Sequence, residues 1–279
     1  MAQSSDKCIC LFDMDGTLTH PRKSIDRKMI TALRELSKMS VTIGIVSGSP
    51  WEYIDQQMSR AWKADEVGLY PDLVKIMPCN GTQLLEWSSS TGKYESVYKV
   101  DFKKHVNELA GKNVYNEFVR HILELQMEFI EEYNFENLTG NFVSYRTSMI
   151  NWSPVGRDAK DKDREAFMKL DDEKDVRNKL RESLRVRLDD SGLHEPDLNL
   201  GGFTSIDIHP TGWDKTHALR HCGDAKVWFV GDKCMVGGND HTLYKHLTPH
   251  SRSFSTTGPE ETEEIIRDHI MPHIERKES

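Results

Sequence analysis

Along the chain, compact apolar runs alternate with stretches in which apolar residues recur every three or four positions. The run from Lys7 to Asp13 ends in acids and Gly16, which predicts a buried strand feeding a loop. Ile25, Met29, Ile30, Leu33 and Leu36 follow at helical spacing. Val41 to Val46 is a β-branched run closed by Ser47-Gly48-Ser49, with a helix expected from about Trp51 to Arg60. Leu73 to Met77 predicts a third strand, ended by Pro78 and the turn pair Asn80-Gly81. Strands and helices in alternation build βαβ units, hence a parallel sheet covered by helices.

The rhythm then changes. Leu84 to Trp87, a Ser-Ser-Ser-Thr-Gly turn and Tyr94 to Val100 predict an antiparallel hairpin. Phe118 to Phe129 reads as helix, and Asn141 to Tyr145, Met149 to Trp152 and Thr204 to Ile208 as short strands. Between Lys160 and Leu188, Phe167, Leu170, Val176, Leu180 and Leu184 are spaced for one long amphipathic helix with a charged, solvated face. After Gly212 the first rhythm returns. Trp213 to Leu219 reads as helix, Lys226 to Val230 as a buried strand ending at Gly231-Asp232, Gly237-Gly238-Asn239-Asp240 as a loop, and Glu260 to Ile274 as a closing helix. The fold class expected is α/β: a Rossmann-like parallel-sheet core, residues 1–84 and 211–279, with an inserted α+β domain at 85–210.

Charge then narrows the partners. Lys and Arg number 37 against 45 Asp and Glu, a net charge of −8, which argues against a protein that holds nucleic acid by neutralising phosphates. No stretch approaches the roughly 20 apolar residues of a membrane span, and the N-terminus MAQSSDKCICLFDMDG shows no apolar leader core. Cys8, Cys10, Cys79, Cys222 and Cys234 are odd in number and scattered, so reduced thiols and a cytoplasmic location are expected.

The chemistry concentrates just beyond the carboxyl ends of predicted strands, where open α/β sheets place their sites. Asp13 and Asp15 can be aimed at one point, and their repulsion calls for a hard divalent cation with oxygen ligands, Mg²⁺ being the obvious one. One carboxylate can then attack phosphorus while the other moves the proton of the leaving or attacking oxygen. A calcium loop is excluded, because Leu18 and Ser24 stand where it needs Gly and Glu. Ser47 and Ser49 can donate to phosphate oxygens, Lys215 can neutralise charge developing on phosphorus, and Asp232 is placed as a further metal ligand.

This ordered set resembles the haloacid dehalogenase superfamily of phosphohydrolases and phosphotransferases. The runs Tyr145 to Arg157, Gly201 to Asp207, Gly212-Trp213-Asp214-Lys215 and Gly231-Asp232-Lys233 to Gly237-Gly238-Asn239-Asp240 resemble the eukaryotic phosphomannomutases, nearly from end to end of the chain. The resemblance implies Asp13 as nucleophile and Asp15 as general acid and base. It implies Mg²⁺ held by Asp13, the backbone carbonyl of Asp15 and Asp232, with Asn239 and Asp240 nearby. Arg22 would contact substrate phosphate, and Arg146, Arg157, Ser205 and Asp207 of the inserted cap would grip the sugar phosphate, bidentate Arg suiting phosphate. It further implies a hexose 1,6-bisphosphate activator, interconversion of mannose 6-phosphate and mannose 1-phosphate for GDP-mannose synthesis, and a homodimer through the cap. Three departures stand out: Thr139 where an Arg is expected, Ser47-Gly48-Ser49-Pro50 for Gly-Gly-Ser-Asp, and Thr147-Ser148 for Asn-Gly. They leave the transfer chemistry intact and leave hexose preference and mutase efficiency open, and Thr139 keeps open a sugar-phosphate phosphatase, or a binding protein that retains the fold.

Overall fold

The computed structural model describes residues 7–62, 68–111 and 113–275. The start of the N-terminal stretch read for a leader, residues 1–6, lies outside the described residues. Two compact units are formed, Met1–Lys99 with Trp213–Val236 and Asp240–Ser279, and Val100–Gly212 with Gly237–Asn239.

The first unit opens with Cys8–Phe12 (β1), whose last four residues are buried because helices cover both faces of a parallel sheet. Arg27–Ser37 (α1) starts where Asp26 accepts the Met29 N–H at 2.8 Å, and Met29, Ile30, Leu33 and Leu36 form its buried stripe. Val41–Val46 (β2), Trp51–Trp62 (α2), Val74–Met77 (β3) and the hairpin Gln83–Ser88 (β4) and Lys93–Lys99 (β5) follow. The second unit holds Phe102–Ala110 (α3), Val114–Tyr133 (α4), Val143–Tyr145 (β6), Ile150–Trp152 (β7), Asp161–Lys174 (α5), Val176–Asp190 (α6), Pro196–Gly201 (β8) and Ser205–Pro210 (β9). The chain returns to the first unit through the 3₁₀ segment Lys215–His221, Lys226–Gly231 (β10), His241–Leu247 (α7) and Ser253–Ser255 (β11). It ends in Pro259–Glu264 (α8), a π-helical turn Ile265–Ile270 and Met271–Glu275 (α9).

Seven strands form the first unit's sheet in the order β11-β10-β1-β2-β3-β4-β5. β11 to β3 run parallel, and β4 and β5 antiparallel. β1 therefore has β2 on one side and β10 on the other, so connections leave it in opposite directions and open a crevice beyond its carboxyl end. The second unit is a four-stranded antiparallel sheet, β6-β7-β9-β8, packed with helices through Phe118, Phe129, Trp152, Phe167 and Leu184. No helix of the described residues is long and apolar enough to cross a membrane.

Several expectations change. The hairpin expected to open the insert after residue 84 extends the core sheet instead, with Ile76 of β3 opposite Leu85 of β4, and the first unit runs to Lys99. The single helix expected from Lys160 to Leu188 is two, α5 and α6, broken at Asp175 in the left-handed region (φ 54°). Buried Asp171 explains the break: it accepts the Arg177 N–H at 2.7 Å and Arg177 Nε at 2.6 Å, tying down the first turn of α6. Helical periodicity continues across one left-handed residue, so the pattern alone conceals it. Trp213 to Leu219 is 3₁₀ over Lys215–His221, and α3, α7, β8 and β11 escape the pattern because each is short or largely polar.

Asp171→Ala leaves the Arg177 guanidinium, whose side chain is 14% exposed, without its carboxylate. A loss of about 3–5 kcal/mol is expected in urea unfolding. A loss below about 1 kcal/mol would mean that solvent screens the pair.

Candidate active site

The loop after β1 is a narrow turn. Asp13 N donates to Val230 O at 3.0 Å, carrying the β1–β10 pairing one residue past the strand, and the N–H groups of Thr17, Leu18 and Thr19 converge on Met14 O. Gly16 sits at φ +86°, and a Cβ there would lie 2.5 Å from Asp232 Oδ2. Glycine is thus demanded twice, by the backbone and by the carboxylate packed on it.

That packing gathers charge. Asp13, Asp232 and Asp240 bring carboxylate oxygens within 4.8 Å of one another. Lys215, with no exposed surface, donates at 2.5 Å to both Asp13 Oδ1 and Asp240 Oδ1. Burial opposes the Lys215 charge, but Asp13 and Asp240 outweigh it and hold the ammonium above its ordinary range. Burial, then Asp240 and Asp232, push the Asp13 carboxyl well above the usual carboxylate range against the pull of Lys215. Burial and Asp240 raise Asp232 as well. One ammonium does not offset three carboxylates.

A hard cation fits this donor set, which is all oxygen, and Asp232 Oδ1 is buried with no hydrogen-bond partner. Asp240 belongs to the cluster, yet Lys215 takes its Oδ1 and the Lys233 N–H takes Oδ2 at 2.9 Å. Its evident work is to hold Lys215. Asn239 precedes it in the chain, partly buried. The Asp15 side chain stays out of the carboxylate cluster: Oδ1 accepts the Arg22 N–H at 2.8 Å and Gln57 Nε2 at 3.2 Å. The Arg22 residue is exposed, in the left-handed region at φ 62°.

Ser47 is 3% exposed, and its hydroxyl accepts the Ser49 N–H at 3.1 Å. This loop is clamped by the turn after β3, because Asn80 N donates to Ser47 O at 2.8 Å and Cys79 N to Ser49 O at 3.1 Å. Cys79 and Asn80 both have positive φ, and Asn80 Oδ1 is buried without a partner. Asn80, read from sequence only as half of a turn pair, is thus tied to the loop that carries Ser47 and Ser49, a link an NG turn does not signal.

In the second unit the residues expected to grip substrate form a chain. Arg157 Nη1 donates to Asn151 Oδ1 at 3.0 Å, and Asn151 Nδ2 to Asp207 Oδ1 at 2.6 Å. Asn151 and Asp207 face each other across β7 and β9. A Cβ on Gly201 would come within 2.6 Å of the Asp207 carboxylate. Arg146 is 7% exposed, its N–H held by Met149 O at 2.9 Å. The Ser205 hydroxyl donates to Gly201 O at 2.7 Å. Thr139 is exposed, its Oγ1 lying 3.4 Å from Val155 O.

A family model, eukaryotic phosphomannomutase, matches residues 29–272. The chain belongs to this family. Its relatives include a phosphomannomutase of Encephalitozoon cuniculi, 34% identical over 92% of this chain and 91% of that one. A phosphomannomutase of Dendrobium officinale is 30% identical over 94% of each, and phosphomannomutase 2 of Dictyostelium discoideum 31% over 93% and 95%. Among solved structures, an IMP-nucleotidase mutant of Plasmodium falciparum superposes with a TM-score of 0.62 at 13% identity, covering 96% of this chain and 67% of that one. The C-terminal domain of a C. albicans trehalose-6-phosphate phosphatase gives 0.52 at 14%, covering 94% and 91%. These two likenesses concern the fold alone.

Gly16→Ala is expected to push Asp232 away and weaken Mg²⁺ binding at least tenfold by calorimetry, with the circular dichroism spectrum unchanged. Unaltered Mg²⁺ affinity would remove Asp232 from the metal site.

Proposed function

We propose that this chain is a Mg²⁺-dependent intramolecular phosphotransferase, a phosphomannomutase that interconverts mannose 6-phosphate and mannose 1-phosphate through an aspartyl phosphate on Asp13. The observation that carries the reading is the buried Lys215 between Asp13 and Asp240, with Asp232 beside them, in a chain of this family. Bound by Asp13, Asp232 and the Asp15 carbonyl, Mg²⁺ would neutralise charge on the transferring phosphoryl oxygens. Asp13 attacks phosphorus through a carboxylate oxygen, the bond from phosphorus to the sugar oxygen breaks, and Asp15 gives that oxygen its proton. In the other half-reaction Asp15 takes the proton of a sugar hydroxyl as that hydroxyl attacks the aspartyl phosphate. Lys215, hydrogen-bonded to Asp13, offsets part of the negative charge where the phosphoryl group is exchanged.

A mutase also needs a site for the phosphate that is not reacting. Arg146 and Arg157 supply it, Asn151 orients Arg157, and Asp207 and Ser205 face the sugar hydroxyls. Arg22, Ser47 and Ser49 hold the reacting phosphate. A hexose 1,6-bisphosphate charges the enzyme. A homodimer through the second unit and a cytoplasmic supply of mannose 1-phosphate toward GDP-mannose complete the proposal and rest on the family relation. One observation favours a sugar-phosphate phosphatase as a second reading: Thr139, where the family pattern has Arg, turns toward Val155 O.

Incubation with mannose 1-phosphate and Mg²⁺ separates the two readings. Mannose 6-phosphate that forms faster with added hexose bisphosphate is the expected product, and free phosphate alone would favour the phosphatase. Asp13→Asn should abolish either activity by several orders of magnitude while the fold persists. Arg157→Ala should shift the ratio of transfer to hydrolysis toward water by roughly ten- to a hundredfold. An unchanged ratio would make Arg157 irrelevant to substrate.

A further inference from the structure

We propose that Gln57 is a positioning residue that dictates which oxygen of Asp15 handles the proton; the inference rests on the reading of Asp15 as general acid and base. Both N–H groups that reach Asp15 converge on one atom, Oδ1: the backbone of Arg22 at 2.8 Å and Nε2 of Gln57 at 3.2 Å. Gln57 is itself pinned. Its Oε1 accepts from Thr19 Oγ1 at 2.9 Å, its backbone carbonyl accepts the Ile25 N–H at 2.9 Å, and it is 7% exposed on α2. Thr19 is 1% exposed, and its hydroxyl also lies 3.2 Å from Met14 O, in the loop that carries Asp13 and Asp15. The amide orientation follows from this network, because the flipped form would set Oε1 against Asp15 Oδ1, acceptor facing acceptor.

An oxygen that accepts two N–H groups cannot take up the proton without giving up at least one of them, so the proton rides on Oδ2. As the carbonyl oxygen of the acid and as one oxygen of the carboxylate, Oδ1 keeps both hydrogen bonds. One network therefore serves both directions. The Oδ2–H bond breaks as the sugar oxygen leaves phosphorus and receives the proton, and it re-forms when a sugar hydroxyl gives its proton to Oδ2 while attacking the aspartyl phosphate. From sequence α2 reads only as a helix from about Trp51 to Arg60, and Gln57 lies 42 residues from Asp15.

Gln57→Leu and Thr19→Val are tested in the full chain with Mg²⁺, using two phosphoryl donors: mannose 1-phosphate, whose leaving oxygen needs a proton, and p-nitrophenyl phosphate, whose leaving group needs none. Gln57→Leu should lose about ten- to a hundredfold in kcat with the sugar phosphate, the scale of one hydrogen bond to a charged group. KM should stay within about twofold, and in single-turnover phosphorylation of Asp13, followed by p-nitrophenol release, the loss should shrink to a few-fold with the aryl phosphate. Thr19→Val, which frees the amide to turn, should show the same donor dependence in smaller measure. Equal losses with both donors, or a change confined to KM or to the unfolding midpoint, would overturn the role of Gln57. Failure of both donors to phosphorylate Asp13 in the unaltered chain would overturn the proposed function itself.

Discussion

Beyond the carboxyl end of β1, a lysine ammonium is buried among carboxylates, and the loops around it are arranged to hold that charge. Lys215 has no exposed surface and two carboxylate oxygens at 2.5 Å. Removing such groups from water costs several kcal/mol per ion, so a buried ion pair is a poor source of stability and its retention asks for another reason. Charge arithmetic supplies one. With all three carboxylates ionised, as a bound cation favours, one ammonium leaves two negative charges, the number a divalent cation offsets. The neighbouring backbone obeys the same constraint: Gly16 makes room for Asp232, and Asp240 takes Lys215 on one oxygen and the Lys233 N–H on the other.

In both units a buried amide sets the direction of a charged group. Gln57 holds Asp15 in the first, and Asn151 links Arg157 to Asp207 in the second. An amide suits this work because it carries donor and acceptor on one planar group, so each neighbour fixes the orientation seen by the next. Neither amide is charged, and neither disturbs the charge balance of the groups it orients. Preorganisation of this kind lowers the reorganisation that phosphoryl transfer would otherwise require.

The parallel sheet was legible because β1, β2 and β10 are short apolar runs buried on both faces, and such runs read the same in any context. The hairpin was legible as a hairpin but not as the sheet edge, since its own alternation does not name the strand it pairs with. The break between α5 and α6 was illegible: Asp175 takes a left-handed conformation because Asp171 binds Arg177, a contact no periodicity encodes.

For the site, the sequence by itself determined which groups could do chemistry and where the chain would present them. Acids and glycines directly after apolar strands also serve ordinary turns, and it was their order along the chain that carried the family resemblance. Only the tertiary structure decided what each group does for the others. Asp13, Lys215, Asp232 and Asp240 meet because β1 and β10, far apart in sequence, are neighbours in the sheet. Asp240 became the holder of Lys215, Asp15 was turned away from the carboxylate cluster, and Gln57 in the first unit and Asn151 in the second became partners of residues the sequence had singled out. The physical reason is that a hydrogen bond depends on distance and angle in space. Residue type and local spacing limit what a side chain can offer, and burial beside a particular partner decides what it gives.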